Sequence, residues 1–303
     1  MKYVVIGGAG FIGSNLVDYL IKEEHEVSII DNFSTGKKEN LNPKAAVHKI
    51  DMSDVSNSDK LIDVMTNADS VFLLAAKARV QPSIVSPIDY EQNNTIGVLN
   101  VLKCATEAGV RRVVYSASSS AYGDSKVSPL KENLPVNPLS PYGAQKYYGE
   151  VLCRMFAQVY NIETVSLRYF NVYGEKQNVD GAYALVMGIF AHQRLNGQPM
   201  TIRGDGEQKR DFTYVGDVVN ANVLASQSEK VGKGEVINIG NGDNRSINEI
   251  ADMIGGDRVH VEPVIEPKET LADNSLAEEL LGWRPTQVIE DWVPKYKKDL
   301  GLI

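Results

Sequence analysis

The chain has 303 residues, 43% of them hydrophobic, and a formal net charge of −8. This length allows one large domain or two modest ones around a sizeable core, while the acidic balance argues against nucleic acid or an anionic membrane as partner. The longest uncharged apolar run, Val71 to Ala76, is too short to span a bilayer, two cysteines (Cys104, Cys153) make no disulfide framework, and histidines at 25, 48, 192 and 260 lack metal-ligand spacing.

Tyr3-Val4-Val5-Ile6 runs straight into glycines at 7, 8, 10 and 13, and a helical segment follows from Phe11 to about Ile21. Buried strand, glycine turn and helix N-terminus in that order form a seat for a dinucleotide pyrophosphate. Gly7 supplies turn angles closed to other residues, Gly10 leaves room for the phosphates, and Gly13 lets helix and strand pack closely. Lys2 directly before this strand leaves no signal peptide, so a cytoplasmic location is expected. The second apolar run, Val27–Ile30, ends in Asp31, eighteen residues after Gly13. A carboxylate there can bond both ribose hydroxyls and repels a 2′-phosphate, which favours NAD over NADP.

Strands are expected at 3–7, 26–30, 46–50, 69–74, 111–116 and 163–168, without polar alternation, as in a parallel sheet covered on both faces. Asp51 follows the third strand as a candidate partner for an adenine amino group or as a turn cap. Leu74, Ala75 and Ala76 end the fourth where small residues admit a ligand backbone. Long helices are expected at about 85–109 and 141–160, and their surplus apolar residues, including Leu99 and Leu152, are consistent with a homodimer. The fold class that follows is α/β, a Rossmann-type doubly wound parallel sheet with a smaller C-terminal substrate lobe. The sheet domain spans 1–170, with 211–230 returning to it. The lobe takes 171–303, including a strand at 235–239 and helices at 246–254 and 275–281.

Tyr142 follows Pro141 in the first turn of its helix, with Ser140 as cap, so Tyr142 and Lys146 share one face. An ammonium near a phenol lowers its proton affinity, which allows the pair to take a proton from a carbinol while hydride leaves for NAD. An isolated Tyr and Lys on an amphipathic helix would otherwise be ordinary surface. Ser118, Ser119 and Ser120 leave the fifth strand toward the same edge, and a hydroxyl there can bond the reacting oxygen. A plain serine-rich turn is the alternative reading.

Gly7-x-x-Gly10-x-x-Gly13, Ser118 before Tyr122-Gly123, Tyr142-x-x-x-Lys146 and Arg168-Tyr169-Phe170-Asn171 together resemble the extended short-chain dehydrogenase/reductases. Among these the chain is most similar to the NAD-dependent UDP-sugar 4-epimerases, along its whole length. The resemblance implies NAD contacts from Phe11, Ile12, the loop Asp31-Asn32-Phe33-Ser34-Thr35-Gly36, Asp51, Met52, Leu74–Ala76, Asn94, Tyr142, Lys146 and Phe170. It implies catalytic roles for Ser118, Tyr142 and Lys146, and a UDP-sugar substrate held through Asn171 and Arg210. Such enzymes often carry Arg-x-Gly-Asp shortly before Leu271-Ala272-Asp273. Here Pro263 stands at the arginine's place and Glu266 keeps the acid, with Lys268 a possible substitute cation. Near Leu185 an asparagine donor of the family is also replaced. Thr270 stands where glucose-restricted epimerases place a bulky aromatic, which implies room for an N-acetyl group. Ser119-Ser120 replaces the Asp-Glu of the related 4,6-dehydratases. A UDP-glucuronate 4-epimerase stays open, and a non-catalytic NAD-binding regulator is countered by the intact Tyr142 and Lys146.

Overall fold

The computed structural model describes residues 1–179 and 185–303. Its centre is a seven-stranded, wholly parallel sheet of β1 (Lys2–Ile6), β2 (Glu26–Asp31), β3 (Ala46–Lys49), β4 (Ser70–Leu73), β5 (Arg112–Ser118), β6 (Glu163–Tyr169) and the later strand Lys233–Ile239. From one edge the order is Lys233–Ile239, β6, β5, β4, β1, β2, β3. The chain therefore winds outward from β1 through β2 to β3, then crosses back to β4. The crevice between β1 and β4, at their carboxyl ends, is where such sheets bind ligands.

Alternating side chains build a core on each face. Tyr3 and Val5 of β1 pack with Leu16 and Leu20 of α1 (Phe11–Lys22) and with helix Val215–Gln227. Val4 and Ile6 pack on the other side with Val101, Leu102, Leu152 and Phe156. The burial of both faces accounts for the continuous apolar reading of these strands. Only β3, at an edge, departs from it, with Val47 exposed.

The return to the sheet runs further than the sequence suggests. Strand Lys233–Ile239 was expected in the small lobe, but it pairs in parallel with β6. Helix Ser275–Leu281 likewise packs Ala277 and Leu281 into the sheet core, beside the fully buried Trp283. Their hydrophobic faces fit the open β6 edge and its helix layer, a tertiary choice that local pattern does not encode. The lobe proper has its own small core around Tyr173, Phe190, Ile202, Phe212, Ile250 and Trp292. It includes a helix not anticipated, Ile289–Asp299, whose internal Pro294 masks the pattern.

The expected helix 85–109 is also broken. Val80–Val85 is one short helix, Pro87–Glu91 another, and a π-helical turn at Gln92–Ile96 leads into Gly97–Glu107. That turn brings the side-chain oxygens of Asn93 and Asn94 to the Lys77 backbone N–H, at 3.1 and 2.8 Å. Those two bonds tie the irregular turn to the segment that follows β4. No helix among the described residues is long and apolar enough to cross a membrane, and both cysteines are buried and free.

Candidate active site

A cavity of about 730 Å³ opens over the carboxyl ends of β1, β4 and β5 and is closed on its far side by the lobe. At its floor Gly7 has φ +88°, and a Cβ there would meet Ala75 N at 2.6 Å. A Cβ on Gly13 would meet Gly7 O at 2.1 Å, so the helix can start this close to the strand only with glycine. The N–H groups of Phe11, Ile12 and Gly13, which lack intrahelical acceptors, lie at the cavity wall. This glycine cradle at a helix N-terminus fits a dinucleotide pyrophosphate.

Asp31 lines the same cavity with Asn32, Ser34, Thr35 and Gly36. Its carboxylate accepts the Ala9 N–H at 3.0 Å and the Phe33 N–H at 2.8 Å, so it braces the glycine loop from the cavity wall. Phe33 itself does not line the wall. Met52 lines it, whereas Asp51 turns to local partners: Ser53 N–H at 2.8 Å, Ser53 hydroxyl at 2.7 Å and Asn32 amide at 2.9 Å. Burial pushes the Asp51 carboxyl up, but these bonds outweigh it and hold it below its ordinary value. Of the two readings of Asp51, the turn cap is the one built here. Leu74, Ala75 and Ala76 line the cavity as expected.

Asn94 and Phe170 lie apart from that wall. Asn94 is buried, bonded to both backbone groups of Lys77 and to Gln145, so it supports the strand end from behind. Phe170 packs with Tyr122, Leu130 and Ala272. The neighbours Tyr169 and Asn171 line the cavity instead, because alternation along the extended chain sends Phe170 the other way.

Ser118, Tyr142 and Lys146 come together at the wall formed by β5 and helix Pro141–Val159. Ser140 caps that helix, accepting the Gly143 N–H at 3.1 Å, and Ser83 Oγ accepts the Tyr142 N–H at 3.2 Å. Ser118 Oγ accepts both the Ser120 N–H and its hydroxyl and is hydrogen-bonded to the Tyr142 side chain. Ser118 thus emerges from the three serines as the partner of the tyrosine. Burial pushes the Tyr142 phenol up; the Ser118 bond and the Arg79 guanidinium pull it back.

One cation acting on Tyr142 is Arg79, which the sequence did not single out. Lys146 Nζ donates to Ser116 O at 2.6 Å and Ser116 Oγ at 3.2 Å, over the Tyr115 ring. Burial pushes its pKa down to about 7, against the opposing pull of Cys153 and Glu150. Proton release near neutrality suits a group that bonds and orients a ligand from within the wall.

Asn171, Arg210, Glu266 and Thr270 meet on the lobe side of the cavity. The Arg210 guanidinium pairs with Glu266. The acid that remains at 266 thus holds the arginine in place. Lys268 does not line the cavity, and its backbone N–H donates to Asp124. Asn171 Nδ2 donates to Asp211 O at 3.0 Å. Asp211 accepts the N–H groups of Asn241, Gly242 and Ala272, and burial nevertheless pushes its carboxyl up to about 6. Leu185 lines the cavity and precedes helix Val186–Leu195. Among the described residues no cluster of three metal-binding side chains exists.

A family model described as the NAD dependent epimerase/dehydratase family matches residues 3–240. The putative UDP-glucose 4-epimerase of Methanocaldococcus jannaschii is 38% identical, over 93% of this chain and 92% of that protein. The solved structure of UDP-glucose 4-epimerase from Thermotoga maritima with UDP-glucose superposes with a TM-score of 0.92, at 36% identity, over 99% of this chain and 100% of that one. UDP-N-acetylglucosamine 4-epimerase from Methanobrevibacter ruminantium, in complex with UDP-N-acetylmuramic acid, gives 0.92 at 35% identity, over 100% and 99%.

Proposed function

The chain belongs to the NAD-dependent epimerase/dehydratase family, and from that premise we propose that it inverts C4 of a UDP-linked sugar through a transient 4-keto sugar. NAD is the cofactor of this family, and the glycine cradle with Asp31 fits it. When bound it supplies a reversible hydride acceptor.

The chain's own residues do the rest. Tyr142 takes the proton from the sugar O4 while Ser118, bonded to the phenol, holds that oxygen. Lys146 orients the dinucleotide from the wall. Arg210, clamped by Glu266, presents a planar fork to the diphosphate, and Asn171 adds an amide. Firm nucleotide contacts and a roomy sugar pocket let the keto sugar turn about its diphosphate and present its other face; Tyr142 then returns the proton to O4 as C4 would take back the hydride. The observation that carries this reading is the gathering of Ser118, Tyr142 and Lys146 on one wall of a cavity that Arg210 and Asn171 also line.

The test is incubation of the purified protein with UDP-galactose and NMR detection of UDP-glucose without net oxidation. Absence of any C4 epimer from a panel of UDP-sugars would refute the reading. Thr270 extends it. The side chain lines the cavity, nearly buried, with Oγ1 3.4 Å from the Asp211 N–H. A threonine there leaves volume for an N-acetyl group, so both UDP-GlcNAc/UDP-GalNAc and UDP-glucose/UDP-galactose are proposed substrates.

A further inference from the structure

Arg79 sits at the reacting end of the cavity and, among the described residues, has no ion-pair partner. It lines the wall, half-buried, immediately before helix Val80–Val85, whose Ser83 binds the Tyr142 N–H. Its backbone has φ +90° and ψ +139°, outside the conformations that residues with side chains favour. Strain of this kind persists only where surrounding structure enforces it, and it gathers at ligand-binding positions. Among the described residues, the titratable groups acting on Arg79 are the phenols of Tyr142 and Tyr90, with no carboxylate.

Of the other cations at the cavity wall, Lys77 pairs with Asp89, Arg210 with Glu266, and Lys146 bonds to Ser116, while Arg203 lies at the end of a lobe strand, away from β5. The anions of the two nucleotides are provided for elsewhere: the dinucleotide phosphates at the α1 N-terminus, the sugar diphosphate at Arg210 and Asn171. A guanidinium withdrawn from water beside the sugar calls for an anion or strong acceptor from the ligand itself.

We propose that Arg79 binds an anionic substituent on the sugar ring, and so admits a UDP-uronic acid, with a carboxylate at C6, as a substrate of this site. The proposal rests on the UDP-sugar reading above and adds the class of sugar. A guanidinium and a carboxylate form two parallel hydrogen bonds that a neutral hydroxymethyl group cannot match.

The experiment compares UDP-glucuronate with UDP-glucose on the NAD-loaded protein, for the native chain, Arg79→Gln and Arg79→Lys. The quantity read is the ratio of kcat/KM between the two sugars, because the Tyr142 environment changes for both alike. The native ratio is expected to favour the uronate at least ~10-fold, the range of a charge-assisted hydrogen bond. Arg79→Gln should collapse that preference mainly through KM, and Arg79→Lys should restore part of it. A native preference for the neutral sugar, or a ratio unmoved by Arg79→Gln, overturns the proposal. If neither sugar is epimerised, it is the C4 reading that fails. Titration calorimetry of UDP-glucuronate against UDP-glucose, native and Arg79→Gln, then decides the anion site by the same ratio.

Discussion

At the scale of single residues the chemistry divides between groups that the sequence marks and groups that only folding brings near. Tyr142 and Ser118 were legible, since cap, proline and spacing fix where the helix begins. Tyr142→Phe is expected to keep fold and NAD content but to lose epimerisation at least ~100-fold, the scale of one acid–base group; near-native turnover in an NMR assay would remove it from the mechanism. Arg79 was not legible, because its neighbours are contributed by a helix sixty residues further on. Lys146 was legible as a position but not as a charge state. Its proton affinity falls from an ordinary 10.5 to about 7, so between those values the unfolded chain holds this proton more tightly. Native stability should therefore rise as pH climbs through that window. The difference in melting temperature between Lys146→Met and the native chain, in the variant's favour at pH 6, should shrink toward pH 10; a difference constant with pH would show that the amine is not so perturbed. At Thr270, Thr270→Tyr should suppress turnover of the N-acetylated pair while sparing glucose and galactose. Equal loss on both pairs would refute the gate.

At the scale of elements, legibility followed local pattern and failed where tertiary demand took over. The strand–turn–helix of residues 2–22 could be read because four glycines between an apolar strand and a helix mark a turn that only residues without a Cβ can make, and the contacts that a Cβ would meet explain them. Asp31 belongs to the same element, holding the loop by two backbone N–H groups. Asp31→Ala therefore mixes two effects: loss of the ribose contact, and stranded buried donors worth about 1–3 kcal/mol. Asp31→Asn leaves one acceptor in place and separates them. It is expected to weaken NAD binding and to narrow the preference over NADP, with a smaller fall in melting temperature than Asp31→Ala, because one of the two N–H groups keeps its acceptor. Titrations in which the unmodified protein binds NADP more tightly than NAD would contradict this role. The 85–109 segment defeated pattern reading for the opposite reason. Its Asn93 and Asn94 are spent on the Lys77 amide, and the only hint in the sequence is two amide side chains in mid-helix.

At the scale of the whole molecule the six strands of the parallel sheet were legible, but the place of the closing strand Lys233–Ile239 was not, because no local signal says which sheet edge an apolar strand joins. Beyond the fold lies the question of what covers the outer faces of helices Pro87–Glu91, Gly97–Glu107 and Pro141–Val159. Ile88 is 84% exposed there, and Ile96, Leu99, Tyr148 and Val151 are exposed with it. A shallow depression among Pro87, Ile88, Thr95, Pro141, Ala144 and Tyr148 joins the two helical segments into one surface. Apolar side chains gathered on neighbouring helices suit an isologous contact, in which the same patch on two copies buries itself. The protein is therefore expected to be a homodimer through this face, with the cavity left open on the opposite side of helix Pro141–Val159. Sedimentation should give twice the chain mass of 33.3 kDa. Tyr148→Glu combined with Leu99→Glu should halve it by placing like charges in the contact, while α-helical circular dichroism stays unchanged. A native protein that sediments as a monomer at micromolar concentration, or a double variant that remains dimeric, would move the interface elsewhere or abolish it.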